Sequence, residues 1–131
     1  MQYRSKLHEV IDLCRKYIDE AIDLLQKGDS IQASEKLYKV VEEALKILAE
    51  IHGLEAYRKS AEIGRWSVSR LEEAAKQLAT IYGDSIYDSW KIAYERLHIE
   101  GFHEKKLTPE DIREEIDKVI YLVSLLEILT R

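Results

Sequence analysis

The sequence predicts an all-α protein that folds as a four- to five-helix antiparallel bundle in a single domain, residues 1–131. Apolar residues recur at spacings of three and four along most of the chain, and no stretch alternates as a strand would. One proline and five glycines leave few residues to separate strands. A chain of 131 residues is long enough to bury a core without a disulfide or a metal.

The first two helices are predicted as an antiparallel hairpin. The first runs from about Gln2 to Lys27 on one apolar stripe, and Gly28 supplies its C-terminal stop. Asp29 or Ser30 can accept backbone N–H bonds and so cap the second helix. That helix reaches about Ile51, and the short GDS link forces the two helices to run antiparallel.

The middle of the chain is predicted less regularly. Residues 54–66 have a poor apolar pattern, and an irregular connection with at most a short helical turn is expected there. A third helix follows at about 67–82. A fourth, capped by Asp84 or Ser85, is expected to end near Glu100, where Gly101 breaks it.

The TPED sequence at residues 108–111 predicts the start of the last helix. Thr108 can be the N-cap, and Pro109 falls at the first helical position, where its missing N–H costs nothing. The helix then runs to about Leu129. Its apolar residues cover more than one stripe, so either it crosses the middle of the bundle or a second chain covers one side. We therefore expect a homodimer, with Leu122, Leu125 and Leu129 toward the partner.

Composition narrows the class of protein. No apolar run reaches the length of a membrane span, and the N-terminus lacks a signal-peptide core, so a cytoplasmic protein is expected. The net charge of −5 offers no global basic surface for nucleic acid. The lack of asparagine and the 34% charged residues are typical of thermophiles. The single cysteine, Cys14, lies in an apolar stripe and is interpreted as a buried hydrophobe.

The stretch ERLHIEGFHEK, residues 95–105, carries the strongest candidate site. A guanidinium and an imidazole beside one phosphate suit RNA cleavage: His103 would take the 2′-hydroxyl proton and Arg96 would stabilise the phosphate charge. The competing interpretation is structural. Arg96 and His103 lie seven positions apart. Because the chain has eight arginines and four histidines, about one pair at a comparable spacing is expected by chance. Arg96 would then pair with Glu100, and His103 would lie at a helix C-terminus.

Three long stretches carry a family resemblance: GDSIQASEKLYKVVEEALKILA, WSVSRLEEAAKQLA and WKIAYERLHIEGFHE. Together they resemble the archaeal PaREP family over nearly the whole chain, residues 24–126. That family is similar to the HEPN helical bundles, many of which carry an arginine and a histidine with four to six residues between them, as Arg96 and His103 have six. The resemblance implies a metal-independent endoribonuclease site, completed by a dimer mate, at Arg96 and His103. Leu97, after the arginine, departs from the usual polar residue there.

Other residues are weaker candidates for substrate binding. His98 and Glu100 could assist the pair, although His98 is more often a partly buried histidine with a backbone partner. Lys105 lies beside the pair, and Trp66, at an irregular junction near several basic residues, could line a pocket or pack in the core. The histidines lack zinc-ligand spacing on an α-helix, so neither a metal site nor a cofactor is predicted.

Two further classes of function stay open. The chain can be a non-catalytic module that pairs with itself or with a nucleotidyltransferase-like protein, as some HEPN proteins do. It can also bind a small ligand near Trp66. An Arg96 locked to Glu100 on a flat face favours the module, whereas a basic cleft around Arg96 favours the enzyme acting on RNA.

Overall fold

A computed structural model describes residues 3–131, which form helices and connections without a strand. The predicted all-α antiparallel bundle is confirmed. The helices are α1 (Arg4–Gln26), α2 (Ser30–Ile51), α3 (Glu55–Ile63), α4 (Val68–Tyr82), α5 (Asp84–Lys91), a π-helix termed π1 (Ile92–His103), α6 (Pro109–Arg113) and α7 (Ile116–Ile128). Gln2, predicted to begin the first helix, lies outside the described residues.

Helix α2 occupies the centre of the bundle. It packs against α1 along its length and also contacts α4, π1 and α7. It contributes eleven of the buried residues: Ala33, Ser34, Leu37, Tyr38, Val40, Val41, Ala44, Leu45, Ile47, Leu48 and Ala49. As predicted, Gly28 turns the chain between α1 and α2 with φ +80°, and the Asp29 side chain accepts a hydrogen bond from the backbone N–H of Gln32. These two residues fix where α2 begins.

Two expectations for the connections are wrong. Residues 54–66 contain a complete helix, α3, which ends at Gly64 in the left-handed conformation with φ +88°. Its fully buried residues are only Ala56 and Ser60, and this is why the apolar pattern is weak. The last predicted helix is two helices. A capping box between Thr108 and Asp111 starts α6, and a turn at residues 114–115 separates it from α7.

The expected break at Gly101 is also wrong. Helix α5 continues without interruption into π1, and Gly101 lies inside π1 rather than at its end. In a π-helix each N–H bonds to the carbonyl five residues earlier. The last such bond runs from the Glu104 N–H to the Ile99 carbonyl at 2.8 Å. π-Helices are rare and concentrate at functional sites; this one covers the stretch that the sequence singled out.

Helix α7 places one side in the chain's own core. Val119, Leu122, Val123 and Leu126 are buried, so Leu122 faces the core rather than an exposed surface. The exposed apolar residues of α7 are Ile120 and Ile128. Among residues 3–131, no helix is long and apolar enough to cross a membrane.

Candidate functional site

A ladder of stacked rings runs along the side of α5 and π1 that faces α2. Consecutive rings four residues apart have centroids 5.5, 5.8 and 6.1 Å from one another, in the order Trp90, Tyr94, His98 and Phe102. Tyr38 of α2 stacks on His98 with centroids 4.2 Å apart. Because aromatic contacts on two sides restrain the imidazole, the ladder sets the orientation of the His98 ring.

His98 links a carboxylate to a second histidine. Its Nδ1 lies 2.9 Å from Glu35 Oε1 on α2, and its Nε2 lies 3.1 Å from His103 Nε2. Glu35 and the His98 side chain are each less than one-fifth exposed, whereas His103 is exposed to solvent. The two imidazole rings meet edge to face, with centroids 4.5 Å apart. The three groups form a continuous chain of hydrogen bonds from α2 to the surface.

The π winding explains why the two histidines meet. On an α-helix, residues four apart are stacked and residues five apart diverge. With hydrogen bonds from i to i+5 the turn is wider, so residues five apart reach the same face as residues four apart. His98 therefore contacts both Phe102 and His103. The sequence favoured a partly buried His98 with a backbone partner over a His98 that assists the catalytic pair. Its partners are instead the side chains of Glu35 and His103.

His103 opens onto a cleft of about 510 Å³ at the junction of π1 and the start of α2. The cleft is lined by Asp29, Ile31, Gln32, Phe102, His103 and Lys105. Lys105 has φ +57°, a left-handed conformation that non-glycine residues seldom adopt and that is commoner at functional sites. Lys105 forms no ion pair with any residue in the described part of the chain, so its charge is available at the cleft.

Arg96 lies in a different environment. Its guanidinium is 3.8 Å from Glu100, 3.7 Å from Asp111 and 3.5 Å from Glu115. The ion pair with Glu100 is the one expected if Arg96 has a structural rather than a catalytic role. Arg96 and Glu100 line another cleft together with Lys91 and Lys118. This cleft and the His103 cleft have no lining residue in common. One copy of the chain therefore does not bring Arg96 to the His103 cleft, and the catalytic pair stays a prediction.

Trp66 is remote from both clefts. It is half-buried and lines a third depression of about 180 Å³ with Tyr57, Lys6 and Glu50. Lys6 and Glu50 form an ion pair at 2.5 Å across this depression. Trp66 also packs against the core. It therefore both lines a depression and contacts the core, which were the two alternatives that the sequence left open.

Burial perturbs two groups beside Glu35. Burial raises the pKa of the Tyr38 hydroxyl, and the nearby Glu42 and Glu35 charges act in the same direction. Burial also raises the pKa of Glu42; Lys46 opposes this shift and Glu35 adds to it. Glu35 and Glu42 therefore concentrate negative charge on the part of α2 that carries Tyr38.

Glu35 is the functional candidate that the sequence analysis missed. It lies 63 residues before His98 in the chain, and no spacing rule joins the two. It does lie within the KLYK-containing stretch that carried the family resemblance. Tyr38, three residues later on the same helix, also faces His98.

Comparison with known proteins gives the family and the fold. The family model described as the archaeal PaREP1/PaREP8 family matches residues 9–123. A crystal structure of a Sulfolobus solfataricus protein superposes with a TM-score of 0.77 at 37% identity, covering 86% of this chain and 92% of that one. A solution structure of the same structural-genomics target, described as an open-reading-frame product, gives a TM-score of 0.75 at 37% identity, covering 86% of this chain and 87% of that one. A comparison with curated proteins finds no match. The chain belongs to the archaeal PaREP1/PaREP8 family.

Proposed function

We propose that this protein cleaves RNA without a metal ion, with His103 as the general base. One observation carries the proposal: the hydrogen-bonded chain from Glu35 through His98 to His103, which ends at an exposed imidazole beside a cleft. A histidine held by a partly buried carboxylate–imidazole pair is well suited to proton transfer near neutral pH.

The hydrogen-bond partners determine which ring nitrogen of His98 and of His103 carries the proton. Glu35 can only accept, so His98 Nδ1 carries a proton and donates it to the carboxylate. In neutral His98 the Nε2 atom is then an acceptor, and His103 Nε2–H donates to it. The lone pair of His103 is left on Nδ1. When Nδ1 takes a proton, the positive charge can be shared through His98 toward Glu35.

The proposed reaction is an intramolecular transesterification. His103 Nδ1 removes the proton of the RNA 2′-hydroxyl, and the 2′-oxygen forms a bond to the adjacent phosphorus. The bond from phosphorus to the 5′-oxygen breaks, and that oxygen leaves with a proton from water. The products are a 2′,3′-cyclic phosphate and a 5′-hydroxyl end. The reacting groups are side chains and the substrate's own hydroxyl.

A cation near the phosphate would stabilise the charge of the transition state. Within one copy of the chain Lys105 is the cation that shares the His103 cleft. Arg96 was predicted for this role, and the family resemblance implies a dimer mate that completes the site. In the proposed homodimer, Arg96 would have to exchange its bonds to Glu100, Asp111 and Glu115 for the phosphate.

A cleavage assay in EDTA tests the proposal. Wild type, His103→Ala, Glu35→Gln and Lys105→Ala are incubated with a mixed RNA pool. His8→Ala is the matched control, since His8 is exposed on α1 and has no ring neighbour among residues 3–131. We expect cyclic phosphate ends from wild type and the control, and a loss of at least about 100-fold in His103→Ala. Equal cleavage by wild type and His103→Ala, or none by wild type, would overturn it.

The second candidate is a non-catalytic module that dimerises or binds a partner such as a nucleotidyltransferase-like protein. Two observations favour it. Three neighbouring carboxylates neutralise the charge of Arg96, and two isoleucines of α7 are exposed. Ile120 is 40% and Ile128 53% exposed, and they lie eight residues apart on one face of the helix. Sedimentation of wild type and of the Ile120→Asp, Ile128→Asp double variant decides this candidate. A wild-type dimer that becomes monomeric in the variant supports it, and a monomeric wild type contradicts it.

A further inference from the structure

We propose that His98 and His103 bind a divalent transition-metal ion of the zinc, nickel and copper class. Their Nε2 atoms lie 3.1 Å apart, with the second of them at the protein surface. Metal binding rests on this geometry and does not depend on RNA cleavage by the same residues.

The distance between the two nitrogens fits shared coordination. Zinc binds an imidazole nitrogen at about 2.0–2.1 Å, so two such nitrogens at a tetrahedral angle lie roughly 3.3 Å apart. At a right angle between the bonds the separation is about 2.9 Å for the same bond length. The observed 3.1 Å falls between these values. The two nitrogens can therefore share a metal ion without a change in their separation.

The His98 ring is already prepared as a ligand. Its Nδ1 bonds to Glu35, and the stack on Tyr38 holds the plane of the ring. A carboxylate on the second nitrogen of a metal-binding histidine fixes the ring and increases the basicity of the ligating nitrogen. Only the exposed His103 side chain must turn so that both lone pairs point to one position.

The ligand set selects the class of metal. Imidazole nitrogen suits zinc, nickel and copper, whereas magnesium and calcium prefer oxygen ligands. Within residues 3–131 no group of three or more His, Cys, Asp or Glu side chains is arranged to hold a metal. Water must therefore complete the coordination. Such a site differs from a closed structural zinc site: it is open and its metal is exchangeable.

Metal binding would compete with the proposed chemistry of His103. A metal ion on both Nε2 atoms removes the hydrogen bond that connects His103 to His98 and Glu35. This consequence rests on the proposed function, and it predicts that zinc inhibits cleavage and that EDTA restores it. The two proposals can fail separately, because zinc binding is measured without RNA and cleavage is measured in EDTA.

Calorimetric titration of the untagged protein with zinc chloride tests the site. We expect one zinc ion per chain in wild type and at least about 10-fold weaker binding in both His98→Ala and His103→Ala. Glu35→Gln should weaken binding by about 10–100-fold, as loss of an outer carboxylate does. His8→Ala and His52→Ala are the matched controls and should bind like wild type.

The His103→Ala variant is decisive because its side chain is exposed and its loss leaves the core unchanged. Circular dichroism verifies that the His98→Ala and Glu35→Gln variants are folded. Unchanged zinc binding in His103→Ala, or the absence of binding in wild type, would overturn the proposal. A loss of binding in His8→Ala equal to that in His103→Ala would also contradict it.

Discussion

A Cβ atom on Gly101 would lie 2.2 Å from Ser34 Oγ and 2.7 Å from Ser34 Cβ. Both residues are buried, so π1 and α2 touch at a point where only a glycine fits. Gly101 lies between His98 and His103, and Ser34 is next to Glu35. The close contact therefore sets the separation between the two helices where the hydrogen-bonded chain crosses from one to the other.

Gly101→Ala should lower the free energy of unfolding. Overpacking a buried contact costs about 1–3 kcal/mol, and the alanine regains at most about 1 kcal/mol in helix propensity. We expect a net loss of about 1–2 kcal/mol in urea unfolding, from these two opposing effects. The same variant should weaken zinc binding, because it moves π1 away from Glu35.

The double variant Gly101→Ala, Ser34→Gly is the control for that contact. Removing the Ser34 side chain makes room for the new methyl group, so the two substitutions should be less destabilising together than their sum. A double-mutant cycle measures this coupling. If Gly101→Ala is as stable as wild type, or if the two effects simply add, the contact does not constrain the helices.

The Glu72 carboxylate should make stability depend on acidic pH. Burial raises its pKa, but hydrogen bonds from Tyr87, Trp90 and Lys76 outweigh burial and hold the pKa below its ordinary value of 4.5. The Tyr87 hydroxyl donates at 2.6 Å and Trp90 Nε1 at 2.5 Å. A lowered pKa contributes stability that is fully present above the unfolded-state pKa and is lost as the pH falls through the folded-state pKa.

Melting temperatures between pH 6 and pH 3 measure that contribution. The melting temperature of Glu72→Gln should fall less steeply below pH 4.5 than that of wild type, since no carboxylate remains to be protonated there. Glu62→Gln, at an exposed position on α3, is the control and should follow the wild-type curve. Parallel curves for wild type and Glu72→Gln would show that Glu72 makes no such contribution.

The Cys14 thiol should be unreactive in the folded protein. It is fully buried, its Sγ contacts the Val40 carbonyl at 3.8 Å, and burial raises its pKa to about 12. Thiol reagents react with the thiolate, which is scarce at such a pKa. Because the chain has one cysteine, a colorimetric thiol assay at pH 8 should report almost no reaction until urea is added. Rapid labelling of native protein would contradict the burial of Cys14.

The hairpin of α1 and α2 could be predicted because its signals are local. Gly28 adopts a positive φ and Asp29 caps the next helix, as expected from the sequence alone. Helix α3 was missed because it buries little of its surface, and periodicity detects burial rather than helix formation. The separation of α6 from α7 depends on backbone geometry at residues 114–115, which the apolar pattern does not encode.

The site was predictable only in part, for a related reason. The sequence singled out Arg96 and His103 as the catalytic pair and gave His98 and Lys105 as weaker candidates. His98, His103 and Lys105 are close in the chain and gather at the C-terminal end of π1. Glu35 joins them through tertiary packing, and no local pattern marks it. The π winding brings His98 to His103, five residues away, whereas Arg96, seven residues from His103, lies in another cleft of the same chain.

Arg96→Ala should destabilise the protein through Glu115. The Glu115 side chain is only 10% exposed, and without Arg96 its remaining ion-pair partner is Lys118 at 3.2 Å. Leaving a largely buried carboxylate with one partner fewer should cost about 1–3 kcal/mol in urea unfolding. Arg96→Lys should recover part of this, because a lysine keeps the charge but not the planar fork of donors.

Lys91→Ala is the matched control for Arg96. Lys91 lines the same cleft and makes one exposed ion pair, with Glu95 at 3.8 Å, so its loss should change stability by less than about 0.5 kcal/mol. Equal stability of Arg96→Ala and Lys91→Ala would contradict the structural role.

Cleavage measured well below the melting temperatures of wild type and Arg96→Ala separates the structural role of Arg96 from a catalytic one. A loss of about 100-fold or more in folded Arg96→Ala would assign it the phosphate, because removal of one transition-state donor has an effect of that size. Cleavage near the wild-type rate would leave Lys105 as the cation and Arg96 as the residue that holds π1 to α6 and to the turn before α7.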